Sequence, residues 1–265
     1  MLASLTVLGA GHMASAILTS LLDAGALDPA ALTICDIRPE AAVPFTARGA
    51  VFESDPAAAV KRSDLVLCAV RPAQLPALLS SVSAALAGKT LVSIAAGVST
   101  AYIRSLVPDA CIVRVMPNAT MLVGRGAIAI AEAPDVPADR FAEAVSLFSA
   151  GGITKIIPES AMNAVVSVNG SSPAYFYRMA AVIADFAAQN GIDPAVGLQL
   201  AAKTMEGAAA VLLSGEKTPE ELIRMVATPG GTTEAALNAM TAAGFDDALR
   251  DGLEACARRS AELGR

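Results

Sequence analysis

The chain has one histidine, His12, and no tryptophan. A metal site built from several histidines is therefore excluded, and a Ser-His-Asp triad or Cys-His pair would have to use His12 alone. Charge is also scarce. Asp, Glu, Lys and Arg make up 17% of the residues, against about 25% in an average soluble protein. The balance is acidic, with a net charge of −6, which leaves no electrostatic footprint for nucleic acid or an anionic membrane surface. Cys35, Cys68, Cys111 and Cys256 lie far apart with no CxxC spacing, and three of them sit in apolar runs. There they read as small hydrophobes in a reducing compartment, so the expected location is the cytoplasm. What is abundant is apolar: 54% of the residues, ample for a core and incompatible with disorder. With so little charge, some of that surface is expected to face another subunit. Leu2 to Leu22 carries no Asp, Glu, Lys or Arg. It lacks a basic leader, and Gly9, Gly11 and His12 interrupt it, so neither a signal peptide nor a membrane span is expected.

From Leu5 to Ile157 short β-type runs alternate with helical stretches. The expected strands are 5–8, 32–36, 65–70, 91–94, 111–115, 127–131 and 154–157. Most are apolar and β-branched, as in parallel strands covered on both faces. Helical stretches at 13–24, 39–48 and 72–87 complete a βαβ rhythm. After Pro158 the pattern is helical, with segments at 160–168, 173–190, 194–213, 219–226, 232–242 and 246–263. Asp193-Pro194 and Thr218-Pro219-Glu220-Glu221 carry helix-start signals. The expected fold class is α/β: a doubly wound Rossmann-type sheet over residues 1–157, then an all-α domain over 158–265. Along the 173–190 segment Tyr175, Met179, Val182, Ile183 and Phe186 recur at helical spacing. Alanine fills much of the remainder, a composition suited to a subunit interface.

Gly9-Ala10-Gly11-His12-Met13-Ala14 is a GxGxxA loop placed directly between a strand and a helix. Gly9 suits the tight turn, Gly11 the close approach of a pyrophosphate, and Ala14 the packing of helix on sheet. The helix start offers unpaired amides to the phosphates. About 20 residues further on, Asp36 ends the second strand, where a carboxylate favours the ribose diol of NAD. Arg38, two residues later, suits the 2′-phosphate of NADP. Both cofactors stay open. His12 falls in the phosphate loop, not in a later catalytic segment, and reads as packing or a phosphate contact. In the second half Thr228-Pro229-Gly230-Gly231-Thr232-Thr233 opens a helix. Its bare amides could hold a carboxylate and its hydroxyls a substrate nitrogen, or it could be only a capped turn.

Taken together, these motifs resemble pyrroline-5-carboxylate reductases along nearly the whole chain. Gly9–Ala14 resembles that family's GxGxMA loop, Ala69-Val70-Arg71-Pro72 its AVKP segment, and Val113–Asn118 its VRVMPN strand end. Gly170-Ser171-Ser172-Pro173-Ala174-Tyr175 resembles its GSGPAY helix start, and Pro229–Thr233 its PGGTT signature, followed by Ala236-Leu237 and Gly244-Phe245. The resemblance implies hydride transfer from NADPH or NADH to a cyclic imine, giving L-proline in the last step of proline biosynthesis. It also implies site residues. Gly9, Gly11, His12, Met13, Asp36, Arg38, Ala69, Val70, Arg71, Pro72 and Asn118 would hold the cofactor. Glu216, Thr228, Gly230, Gly231, Thr232 and Thr233 would hold the substrate, with the glycine amides on its carboxylate and Thr233 on its nitrogen as the catalytic contact. No metal is implied. The expected assembly is a homodimer through the helical domain, centred on the Tyr175 segment and stacked into a ring of dimers.

Several positions depart from the family pattern. His12 stands for asparagine, Arg71 for lysine, Ala119-Thr120 for Thr-Pro, Asn169 and Ser172 for serine and glycine, Thr228 for serine, and Pro56 for a nucleotide-binding asparagine. Several of these changes lie on the cofactor side and bear on cofactor preference first and on substrate to a lesser degree; the alternative function is a related reductase of a different cyclic imine.

Overall fold

The computed structural model describes residues 2–264. Eight strands form one sheet: β1 (Leu5–Leu8), β2 (Leu32–Cys35), β3 (Val51–Phe52), β4 (Leu65–Cys68), β5 (Thr90–Ser93), β6 (Cys111–Met116), β7 (Gly126–Ala131) and β8 (Gly152–Ile157). Their spatial order is β3-β2-β1-β4-β5-β6-β7-β8. Alternation along each strand divides the apolar residues between two cores. Leu5 and Val7 of β1, Leu65 and Leu67 of β4, and Val113 and Val115 of β6 enter one core with Ile17, Leu21 and Phe148. Leu8, Val66, Cys68, Leu91 and Ile112 enter the other, with Leu75, Leu79 and Ile103. A period of two thus covers both faces with helices, which is why the central strands are buried at every position.

From β3 to β6 the sheet is parallel. β7 runs antiparallel to β6, a reversal that the mostly parallel character of the strands in the sequence does not show. The reason is the connection: a 3-10 turn, Ala119–Val123, ending in Gly124, is too short for a crossover. The helix Ala138–Ser149 then supplies a crossover, and β8 pairs parallel to β7.

The segment read as one helix over 160–168 is divided into a 3-10 turn (Glu159–Ala161), one α-turn (Met162–Val165) and a π-turn (Val166–Gly170). Two asparagines hold this shape. Asn169 Nδ2 donates to Met116 O at 2.8 Å and Ala127 O at 2.7 Å, while Asn118 Nδ2 donates to Asn169 O at 3.1 Å. The Ser171 amide closes the wide turn on Val166 O at 2.8 Å. Nearby, buried Arg114 of β6 donates to Glu159 Oε1 at 3.0 Å and Asn163 Oδ1 at 2.9 Å.

By contacts the chain forms two units, Met1–Pro173 with Leu253–Arg265, and Ala174–Gly252. The asparagine and arginine contacts tie the segment after β8 to the sheet. The C-terminal stretch joins the same unit, where Ser260 is buried and Cys256 Sγ lies 3.3 Å from Ser171 Oγ.

The second unit is helical. Pro194–Ser214 starts on Asp193, whose Oδ1 accepts from the Ala195 and Val196 amides. Pro219–Val226 starts on a reciprocal capping box between Thr218 and Glu221. In the helix Ser172–Gln189 the buried face is Ala180, Ala184 and Ala187. A Cβ added to Gly197 would stand 2.7 Å from Ala187 Cβ, so small residues set a close helix–helix approach here. The larger stripe of Met179, Val182, Ile183 and Phe186 lies on the open side, with Phe186 67% exposed. Among the described residues, Pro194–Ser214 alone is long and apolar enough to span a membrane by length and composition.

Candidate active site

The first unit carries a cavity of about 720 Å³. It opens where β1, β2 and β4 end. The sequence-expected residues Gly9, Gly11, His12, Met13, Asp36, Arg38, Ala69, Val70 and Arg71 line it together. β1 ends at Leu8 and the first helix, His12–Asp23, begins four residues on. Gly9 makes the turn at φ +93°, and a Cβ there would stand 2.9 Å from Val70 Cγ1, so glycine is required twice over. Gly11 is the N-cap, and no side chain caps the helix. A Cβ built on Gly11 meets no heavy atom within 4 Å. The loop therefore presents backbone and open space at a helix start whose first amides lack side-chain partners. That is the cradle a dinucleotide pyrophosphate needs, and the residues present fit one.

Past the end of β2, Asp36 is 8% exposed and Arg38 60%. Arg38 Nε lies 3.6 Å from Asp36 Oδ1. Cys35 lines the same end of the cavity. Burial, then the carboxylates of Glu53, Asp36 and Asp55, push its thiol up to about 11, so it stands there as a neutral group. Leu8, Ile37, Ser54, Gln74 and Leu78 also line it, and none of them is among the residues expected from the sequence. Ser54 follows β3, whose two residues are too short to show a period. Gln74 and Leu78 were legible only as helix following Pro72. Pro56, one of the departures from the family pattern, also lines the cavity.

Two expected cofactor residues are placed otherwise. Pro72 opens the 3-10 turn Pro72–Gln74 that leads into the next helix, a role that suits its fixed φ. Asn118 is buried, and its carboxamide is engaged inside the protein. Besides its bond to Asn169, its Oδ1 accepts from Thr120 Oγ1 at 2.7 Å and the Ala127 amide at 3.2 Å.

The residues expected at the substrate all lie in the second unit. Gly230 turns the chain at φ +72° and Gly231 caps the helix Thr232–Ala242, with no side-chain cap. The glycine amides, assigned by resemblance to a substrate carboxylate, are engaged within the chain. Gly231 N donates to Thr228 O at 2.9 Å, and Gly230 N to Glu234 Oε2 at 2.7 Å. The Glu234 carboxylate thus occupies an anion position made by this loop. The amides next in line are those of Thr232 and Thr233, in the uncapped first turn. Thr233 is half-buried, whereas Thr228, Thr232 and Glu216 are exposed.

Comparison with known proteins covers both halves. Residues 159–263 match the family model described as pyrroline-5-carboxylate reductase dimerisation. Residues 4–97 match the model described as NADP oxidoreductase, coenzyme F420-dependent. The chain is 34% identical over 269 residues to a pyrroline-5-carboxylate reductase of Synechocystis, covering 98% of each. It is also 34% identical over 261 residues to one of Methanosarcina acetivorans, covering 97% of each. Among solved structures, a pyrroline-5-carboxylate reductase of Coxiella burnetii superposes with a TM-score of 0.91 at 26% identity, covering 100% of both chains. Identity at this level from end to end, carried by both halves of the molecule, makes the chain a member of the pyrroline-5-carboxylate reductase family.

Proposed function

We propose that this protein is an NAD(P)H-dependent pyrroline-5-carboxylate reductase, reducing the C=N bond of the cyclic imine to give L-proline at the end of proline biosynthesis. The observation that carries this reading is its full-length likeness to reductases of that substrate, at 34% identity over 98% of the chain. Bound NAD(P)H supplies the hydride. The Gly9–Gly11 loop and the start of the His12–Asp23 helix hold the pyrophosphate, and Arg38 faces the adenosine ribose. Thr233 donates to, or accepts from, the ring nitrogen, and the uncapped amides of Thr232 and Thr233 hold the carboxylate. Glu216 adds negative charge near the nitrogen.

An imine protonated on nitrogen is already electrophilic at carbon, so the protein's task is alignment and charge stabilisation. A site with no imidazole base suits that task, and His12 belongs to the phosphate loop. The dimerisation match supports an oligomer. The open stripe of Ser172–Gln189 and the apolar helix Pro194–Ser214 are its partner-facing surface, and dimers of this kind stack into a ring. The protein works in the cytoplasm.

A panel of cyclic imines, assayed with each cofactor, tests the substrate. Pyrroline-5-carboxylate is expected to give the highest kcat/KM. A ring of different size, or one lacking the carboxylate, turned over faster would assign the protein to another imine.

A further inference from the structure

We propose that Asp36 is a latch on the phosphate loop, a positioning residue that sets the shape of the Gly9–Gly11 cradle for either cofactor. The inference rests on the dinucleotide reading of that cavity. Two successive loop amides are tied to the end of β2. Gly9 N donates to Cys35 O at 2.8 Å, and Ala10 N donates to Asp36 Oδ2 at 2.7 Å. The second carboxylate oxygen, Oδ1, accepts from the Arg38 amide at 2.8 Å.

Ala10 is 5% exposed, so without Asp36 its amide would be left in a nearly dry place with no acceptor, a costly state. The carboxylate that the sequence offers to a ribose diol is thus committed, through both oxygens, to the backbone on each side of it. A ribose ligand and a latch differ in one consequence. The ribose ligand acts on NADH alone, because in NADPH the 2′-oxygen carries phosphate. The latch acts on both cofactors alike, since both place a pyrophosphate on the same loop.

The test compares Asp36→Ala with Asp36→Asn. Both remove the charge, and only asparagine keeps an oxygen able to accept from the Ala10 amide. Titration of each variant with NADH and NADPH is expected to show the alanine protein binding both about tenfold more weakly than the asparagine protein. The KM for each cofactor should rise in step while kcat moves less. Equal binding by the two variants, or a difference confined to NADH, would overturn the latch. If Asp36→Ala does not fold, Asp36→Val, which fills the space without an acceptor, takes its place. Hydrogen exchange at the Ala10 amide gives a second readout that needs no cofactor. Faster exchange in the alanine protein than in the asparagine protein is expected, and equal rates would overturn the proposal. Wild-type protein that binds neither dinucleotide would contradict the functional reading, and the exchange rates would still decide the latch.

Discussion

The two units of this chain treat apolar residues in opposite ways. In the sheet unit, the central strands and the helices over them bury their large apolar side chains: Leu5, Val7, Ile17, Leu67 and Phe148 have no exposed surface to speak of. In the helical unit Ala174–Gly252 the buried residues are small, and Phe186, Leu213 and Val226 each expose about two thirds of their surface or more. One unit closes its own core. The other lays alanine and glycine against its own helices and leaves large side chains open, the surface proposed above to face a partner. The scarcity of charge, 17% of the residues, accords with this division.

The sharpest break of this contrast comes from Phe186→Glu. A carboxylate on the open stripe of Ser172–Gln189 should weaken association about a hundredfold or more, converting dimers to monomers in sedimentation. Activity should fall with them, while the sheet unit still binds cofactor. Phe148→Ala probes the other side. It should cost about 3–5 kcal/mol in denaturant unfolding and leave the assembly mass unchanged. Within the helical unit, Thr233→Ala should lower kcat about tenfold to a hundredfold, with cofactor affinity nearly intact. Wild-type rates in that variant would remove Thr233 from the site. Arg38→Ala should weaken NADPH about tenfold and NADH little, as read by the ratio of their KM values. An unchanged ratio would take the 2′-phosphate away from Arg38.

The smallest effect concerns Cys68, whose thiol burial pushes up to about 11 from 9.0. A thiol that ionises less readily when folded stabilises the protein below about pH 9.0 and loses that contribution as pH rises towards 11. Melting temperature should therefore decline over this range, and decline less in Cys68→Ala.

How much of this was legible beforehand follows from which forces are local. β1, Pro219–Val226 and Thr232–Ala242 have the bounds that alternation, capping and glycine set in the sequence. The glycine loop was legible because strand, turn and helix start adjoin in the chain. The reversal of β7 was not, since alternation reports which face a residue takes and says nothing of strand direction. The π-turn at Val166–Gly170 depends on Asn118, Met116 and Ala127 reaching it across the sheet, and no local pattern encodes those bonds. The same holds at the site. Asp36 was visible as an acid at the right distance, but its acceptance from the Ala10 amide is a tertiary fact. The placing of Glu234 on the Gly230 amide is local by contrast, an acid in the first helical turn reaching back four residues.

The most direct measurement of the central reading is product analysis with the purified wild-type protein, pyrroline-5-carboxylate and each reduced cofactor in turn. One L-proline formed for each NADPH or NADH consumed is the result predicted. Tight binding of either dinucleotide with no proline formed from either would contradict it.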